Sequence, residues 1–459
     1  MSDLVLLIWL IIGLVALEIL RPFFKSIRDV AGFLFFPFLA LLLIFVSSFV
    51  YGFRPEIIPL GIVLFFIAVF RIPMLISLMQ GLRIDEDRNP SLIRVSIGIL
   101  FLGLAGFIAI HFSPQEGLYT RPTSDALAYE TMVLKGQNGS PEYFVRKYVS
   151  KENEPKGTIL LIPPVNGSVE VVDTICVALK SCGFSVLTFS QPGIDIPAYD
   201  VFNKAIFPSI RNTGSYVLSF IAGLQVKAAH QYGIYFEKAR MEALDFLLKN
   251  IEVAEKLYVV GYGAGGAAAL KYTAEHAETN IAGIINVEGP LYSVLEFPDS
   301  GGKTSGLFML LETLRPHPAV HIGTIPAVQK PLLILASDKI KLTDQRDSRY
   351  ATLVRTVHMA QAPAVIAALT GAGPFDYSDV PMQYPVYSAL MGGDGNRVRN
   401  SGYYIDATVA LISNFICSIE RQSIGNAESS CSSIPVSGDV YIEYNDFIKS
   451  YNPREVVGK

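Results

Sequence analysis

The chain has 459 residues, 51% of them hydrophobic and 17% charged, with a formal net charge of −4 at pH 7. That length leaves room for more than one domain, and the acidic balance argues against a nucleic-acid partner. The apolar residues are not spread evenly: the first quarter holds four long runs with few charges, at residues 4–20, 31–53, 57–82 and 95–112.

Each run approaches or exceeds the ~18–20 residues that a helix needs to cross a bilayer, which predicts four transmembrane helices within residues 1–112. The first lacks the basic start and small-residue cleavage site of a signal peptide, so it reads as a span. Arg71 and Pro73 interrupt the third. An arginine there fits a side chain snorkelling to the interface, with residues 72–82 in or near that interface. The first loop carries Arg21, Lys25 and Arg28 and the third Arg83, Arg88 and Arg94, whereas the second has only Arg54. That bias puts the first and third loops in the cytoplasm. The N-terminus and everything after residue 112 are then extracytoplasmic, and the short loops suit a bacterial cytoplasmic membrane.

Residues 113–128 form a polar connector with Pro114 and Pro122. "TMVLKG" and "YFVRKYVS" around the turn "QNGS" predict an antiparallel hairpin. "GTILLIPP" is then a continuous apolar run of the kind found in strands buried on both faces. The pattern continues as helix "VEVVDTICVALKSCG", strand "FSVLTFSQPG", a long apolar but interrupted segment over 195–233, and helix "FEKARMEALDFLLKN". Next come strand "KLYVVGYGAGG", helix "AAALKYTAEHA", strand "IAGIINVEGP", a variable stretch, strand "PLLILASDK", helix "DQRDSRYATLVRTVHMA", strand "PAVIAALTGAG" and a last helix near "IDATVALISNFICSI". Strands alternating with helices predict a mostly parallel, doubly wound sheet covered on both faces. The expected division is membrane helices to 112, connector to 128, an α/β domain over 129–420 and a C-terminal extension over 421–459.

Of the four cysteines, Cys176 and Cys182 fall in one predicted helix on different faces and read as free thiols. Cys417 and Cys431 flank a polar, serine-rich stretch that could close a disulfide loop, which an extracytoplasmic compartment would permit.

"VVGYGAGG" supports two readings. Gly261, Gly263 and Gly266 spell G-x-G-x-x-G between a strand and a helix, and Glu288 ends the next strand. That is a dinucleotide-binding layout. Gly261, Gly263 and Gly265 also fit the frame of G-x-S-x-G, the sharp turn that presents a nucleophilic serine. Chain order favours the second frame, since a complete strand-helix-strand unit precedes the turn. Asp338 follows the second strand after it, and "GAGPFDYSD" follows one strand later.

This order resembles the alpha/beta-hydrolase superfamily, closest to its esterase, dienelactone-hydrolase and platelet-activating-factor-acetylhydrolase-like branches, over about residues 129–420. The resemblance implies a Ser-His-Asp site, with the histidine in the fourth position of "GAGPFDYSD". Here the nucleophile position is Gly263, the histidine position is Pro374, and Asp338 alone matches. It also implies an oxyanion region at Asn166 and Gly167 after the third strand, joined by the amides of Ala264 and Gly265, with Tyr262 at the pocket wall. No histidine follows the final strand. Pro316 and Pro318 bracket His317, so His317 and His321 do not make a helical zinc pair. Tyr262 reads as packing, Ser337 as a turn cap, and Asp376 and Asp379 as turn and cap residues. No metal or cofactor is expected. The expected role is a membrane-anchored fold that binds a lipid, acyl or other apolar ligand or serves as a subunit of a membrane complex. The alternatives are an unorthodox ester hydrolase and a dinucleotide-binding protein.

Overall fold

The computed structural model describes residues 3–20, 35–50, 58–80, 129–135, 142–150, 155–164, 169–192, 194–195, 198–199, 205–206, 226–251, 256–296, 321–337, 348–373, 375–379, 401–424, 435–436 and 440–444, with a few isolated positions besides. The chain divides into two units. One comprises residues 1–114 with 384–391, and the other 115–383 with 392–459.

In the first unit, α1 (Asp3–Leu20), α2 (Phe36–Val50) and α3 (Ile58–Met79) pack together. Ile11, Val15, Ala40 and Leu64 are fully buried between them. Their outer faces are as apolar as their seam, for Trp9, Leu10, Leu42, Phe45, Phe65 and Phe70 are exposed. Pro73 does not end α3, contrary to the expected interruption: the helix continues to Met79, and Ser77 Oγ donates to the Pro73 carbonyl at 3.0 Å. Arg71 donates to Met74 Sδ at 3.4 Å. The expected fourth span, 95–112, and the loops used for the charge count lie almost wholly outside the described residues.

The second unit is built on a nine-stranded sheet. Its strands are β1 (Glu130–Lys135), β2 (Glu142–Tyr148), β3 (Thr158–Ile162), β4 (Ser185–Ser190), β7 (Leu257–Tyr262), β8 (Ile281–Val287), β11 (Leu332–Ala336), β12 (Ala364–Leu369) and β13 (Val440–Tyr444). Two short pairs, β5 (Ala198–Tyr199) with β6 (Ala205–Ile206) and β9 (Leu295–Glu296) with β10 (His321–Ile322), stand apart from it. The order is β1-β2-β4-β3-β7-β8-β11-β12-β13, parallel from β4 to β12 and antiparallel at both edges. β3, β4, β7, β11 and β12 are buried at every position, which is why they read as unbroken apolar runs.

Among the described residues, the helices covering the sheet are α4 (Asp173–Ser181), α5 (Val226–Asn250), α6 (Ala264–Glu275), α7 (Ser348–Met359) and α8 (Ser401–Ile424). Ala243, Leu244 and Leu247 of α5, Ala267 and Leu270 of α6, and Leu353 and Val357 of α7 share one core with Leu160, Val259, Ile334 and Ile366. α4 packs with α8, which lies against β8 and β11. α8 holds the one helix among the described residues that is long and apolar enough to cross a membrane, 402–421, and 83% of that window is buried in the unit. It is a core helix.

Two boundaries differ from expectation. The domain does not stop at residue 420: α8 runs to Ile424, and β13 completes the sheet by pairing with β12, Val365 opposite Tyr444. A lone five-residue strand after a polar stretch has no local partner to reveal it, and the open edge of β12 supplies one. α5 starts at Val226, before Gly233, a residue that reads locally as a helix boundary. Gly233 is needed there because a Cβ would run into the ring of Tyr292.

Candidate functional site

β3 pairs with β4 on one side and β7 on the other, so the chain order reverses between β3 and β7. A crevice opens at the carboxyl ends of strands at such a point. Gly263 stands there, between β7 and α6, with φ 54° and ψ −123°. L residues are held in this conformation only under strain. Its N–H donates to the Val287 carbonyl at 2.8 Å, and its carbonyl accepts from Gly266 and Ala267 at 2.9 and 3.1 Å.

The glycines around it serve a different purpose. A Cβ on Gly261 would sit 2.5 Å from the Gly266 nitrogen, one on Gly265 2.6 Å from Ile162 Cγ2, and one on Gly266 2.7 Å from the Gly261 carbonyl oxygen. They let α6 lie directly on β3, β7 and β8. A Cβ on Gly263 meets no atom of the described residues within 4 Å, and Gly263 and Ala264 are half-buried. The turn has the conformation and the space for a nucleophile, and no side chain in it.

This geometry disfavours the dinucleotide reading. Gly266 is explained by contact with β7 and with Asn286 of β8, whose amide is tied to both backbone groups of Gly289 at 2.8 and 2.9 Å. Glu288 has φ 54°, the one positive φ of a non-glycine residue among those described. Its carboxylate accepts the N–H of Ser337 beyond β11.

Asp338, Pro374, Asn166, Gly167 and Cys431 lie outside the described residues, but the loop that holds position 374 is largely seen. Gly371 has φ 81°. Asp376 accepts the Gly373 N–H at 2.6 Å, and Asp379 accepts the Thr174 N–H at 2.9 Å while its own N–H donates to Val171 at 2.7 Å. Asp376 therefore closes a turn and Asp379 caps α4, as the sequence reading expected. Tyr377 donates to the Ala336 carbonyl, and Tyr262 donates to the Tyr377 carbonyl at 2.8 Å. Burial pushes the Tyr262 phenol well above its usual range, with Cys176 and Asp379 adding to the shift. Its hydroxyl is committed to the Tyr377 carbonyl and braces the loop from below.

No described imidazole approaches the turn. His276 follows α6, thirteen residues from Gly263 and so about 20 Å away along the helix axis, and stacks on Tyr272. His358 is exposed in the last turn of α7, which leads to the opposite ends of the strands.

A buried ion pair beside the turn went unnoticed in the sequence. Arg240 of α5 and Asp195 after β4 are both fully buried and directly paired. Arg240 also donates to Gln191 Oε1 and to the Pro163 carbonyl, both at 3.2 Å, and the Gln191 N–H donates to Asp195 at 2.6 Å. The guanidinium thus holds the exits of β3 and β4, the stretch from which an oxyanion loop would spring. Ile194 and Ala239, the neighbours of the pair, form an apolar cluster with Phe236 and Ala264. Burial pushes the Asp195 carboxyl up to about 6 although Arg240 and the Gln191 amide pull it down.

Arg240→Met should therefore cost about 3–5 kcal/mol, because it leaves a buried carboxylate without its counter-ion. In the variant burial acts without the counter-charge, so the folded state binds a proton that the unfolded state releases. Stability then rises as the pH falls. Urea unfolding should show the gap to the parent narrowing from pH 8 to pH 5, and a gap that widens would contradict the assignment.

The N-terminal domain model TP_0976_N matches residues 2–111. No curated protein matches the chain in sequence. Among solved structures, a ferulic acid esterase from Streptomyces cinnamoneus aligns at 14% identity and TM-score 0.45, covering 70% of this chain and 98% of that one. A dienelactone hydrolase from Anabaena variabilis aligns at 12% identity and TM-score 0.31, over 57% and 94%. Alpha/beta hydrolase domain-containing protein 10 from mouse aligns at 12% and 0.31, over 65% and 100%. The second unit has an alpha/beta-hydrolase fold, as its strand order and the turn at Gly263 indicate.

Proposed function

We propose that this chain is a membrane-anchored protein whose alpha/beta-hydrolase fold does not run Ser-His-Asp chemistry. Its role is to bind a lipid, acyl or other apolar ligand, or to act as a subunit of a membrane complex. The observation that carries this reading is Gly263: the turn holds a nucleophile's backbone conformation, meets no described atom where a Cβ would stand, and has nothing to attack with. Pro374 supports it, since proline cannot take a proton from a nucleophile. The apolar cluster of Ile194, Phe236, Ala239 and Ala264 beside the turn suits an apolar ligand.

Helices that are apolar on every face favour lipid over water as their surroundings, which supports four N-terminal spans, three of them among α1–α3. The Lys and Arg bias of the loops supports placing the second unit outside the cytoplasm. The domain division proposed is membrane helices to about residue 112, a connector, and an α/β domain extending to β13.

The test is ester hydrolysis by the detergent-purified full chain, with acyl chains from acetate to palmitate, beside Asp338→Ala. The expected result is no turnover above that control. Turnover that Asp338→Ala abolishes would establish the alternative, an ester hydrolase that draws its nucleophile and base from elsewhere.

A further inference from the structure

We infer that Cys417 is bonded to Cys431, that this bond fastens the segment between α8 and the edge strand β13, and that it marks the second unit as lying on the oxidising side of its membrane. The chain has four cysteines. Cys176 and Cys182 are free, Cys417 is disulfide-bonded, and one cysteine remains. Cys417 is 2% exposed, in the part of α8 that forms the core. The residues that follow α8, from "GNAESSCSS" to "IPVSG", are small and polar and bring little apolar surface to hold them down. They lead to β13, which pairs with β12 at five positions along one edge only. A covalent tie to α8 restricts the freedom of this tail and favours the docking of β13.

The bond forms by exchange with a disulfide carried by an oxidoreductase or a small thiol compound. One cysteine thiolate attacks it to give a mixed disulfide, and the second displaces the carrier, which leaves as a dithiol or, from a small disulfide, as two thiols. Two electrons and two protons pass from the cysteine pair to the carrier. Cys176 and Cys182 take no part, for both are free thiols. Such bonds persist in extracytoplasmic compartments. The loop charges point to the same side of the membrane independently, Arg21, Lys25, Arg28, Arg83, Arg88 and Arg94 against Arg54. The placement rests on the membrane reading given above, while the bond itself does not.

Cells expressing the full chain are quenched in acid, free thiols are blocked with N-ethylmaleimide under denaturation, and the protein is then reduced and treated with a maleimide-polyethylene glycol. Two adducts are expected in the parent and none in Cys431→Ser, while Cys176→Ser should keep both. No adduct in the parent, or two remaining in Cys431→Ser, overturns the bond. A C-terminal alkaline phosphatase fusion reads the side separately and should be active. An inactive fusion beside an intact bond overturns the placement and leaves the bond standing.

Discussion

Gly266→Ala is expected to unfold the second unit, and Gly261→Ala to do the same, while Gly263→Ala in the same turn leaves it folded. At Gly266 the new methyl would meet the Asn286 side chain and lie 2.7 Å from the Gly261 carbonyl oxygen. At Gly261 it would lie 2.5 Å from the carbonyl carbon of Gly265 and from the nitrogen of Gly266. These neighbours are mostly backbone, which cannot rotate aside, so α6 must lift off β7 and β8 and open the core that Ala267 and Leu270 help to fill. A loss above about 4 kcal/mol is expected, a large share of the 5–15 kcal/mol that holds a typical domain together. At Gly263 there is space, and the cost is that of holding an L residue at positive φ, about 1–2 kcal/mol. Urea unfolding of the three variants followed by circular dichroism separates the cases. Equal losses at all three positions would mean that α6 does not begin in the tight turn described.

The same contacts explain which parts of the fold were legible in the sequence. β3, β7, β11 and β12 are sandwiched between helices, so burial is written into every residue and the alternation with helices can be counted. The turn was legible because its glycines are required by neighbours only a few residues away. Features whose cause is distant were not. Gly233 looks like a helix stop until Tyr292 packs on it, and β13 looks like a tail until β12 offers an edge. Arg240 has the look of a solvated helix residue, since nothing near it in sequence announces Asp195 or the Pro163 carbonyl. Glu288 was singled out for a ribose, but the backbone turns it toward Ser337, and only the pairing of β8 with β11 reveals that direction. Of the degenerate triad, Gly263 is placed by the structure, whereas Asp338 and Pro374 rest on chain order.

Restoring both missing groups, by Gly263→Ser with Pro374→His, is expected to confer ester hydrolysis at least about 10²-fold above the unmodified chain, the lower end of what a positioned base contributes. The introduced side chain would start where a Cβ meets no described atom within 4 Å. The introduced imidazole would sit in a loop already fixed on both sides, by the Gly373 to Asp376 turn and by the Tyr377 and Asp379 hydrogen bonds. Asp338 would follow β11 as its orienting carboxylate, and the Ala264 amide would face the developing oxyanion. Gly263→Ser alone should stay nearly inert, because a serine without a base within reach is a weak nucleophile. Adding Asp338→Ala to the pair should remove most of the gain. Labelling by a fluorophosphonate reports the activated serine independently of any choice of ester. A double variant that folds, resists the label and turns over no ester would show that the loop after β12 does not aim its fourth residue at Gly263. The resemblance to a hydrolase site would then end at the turn itself, and a ligand-binding role would have to be built on the turn and the apolar wall beside it rather than on a vacated triad.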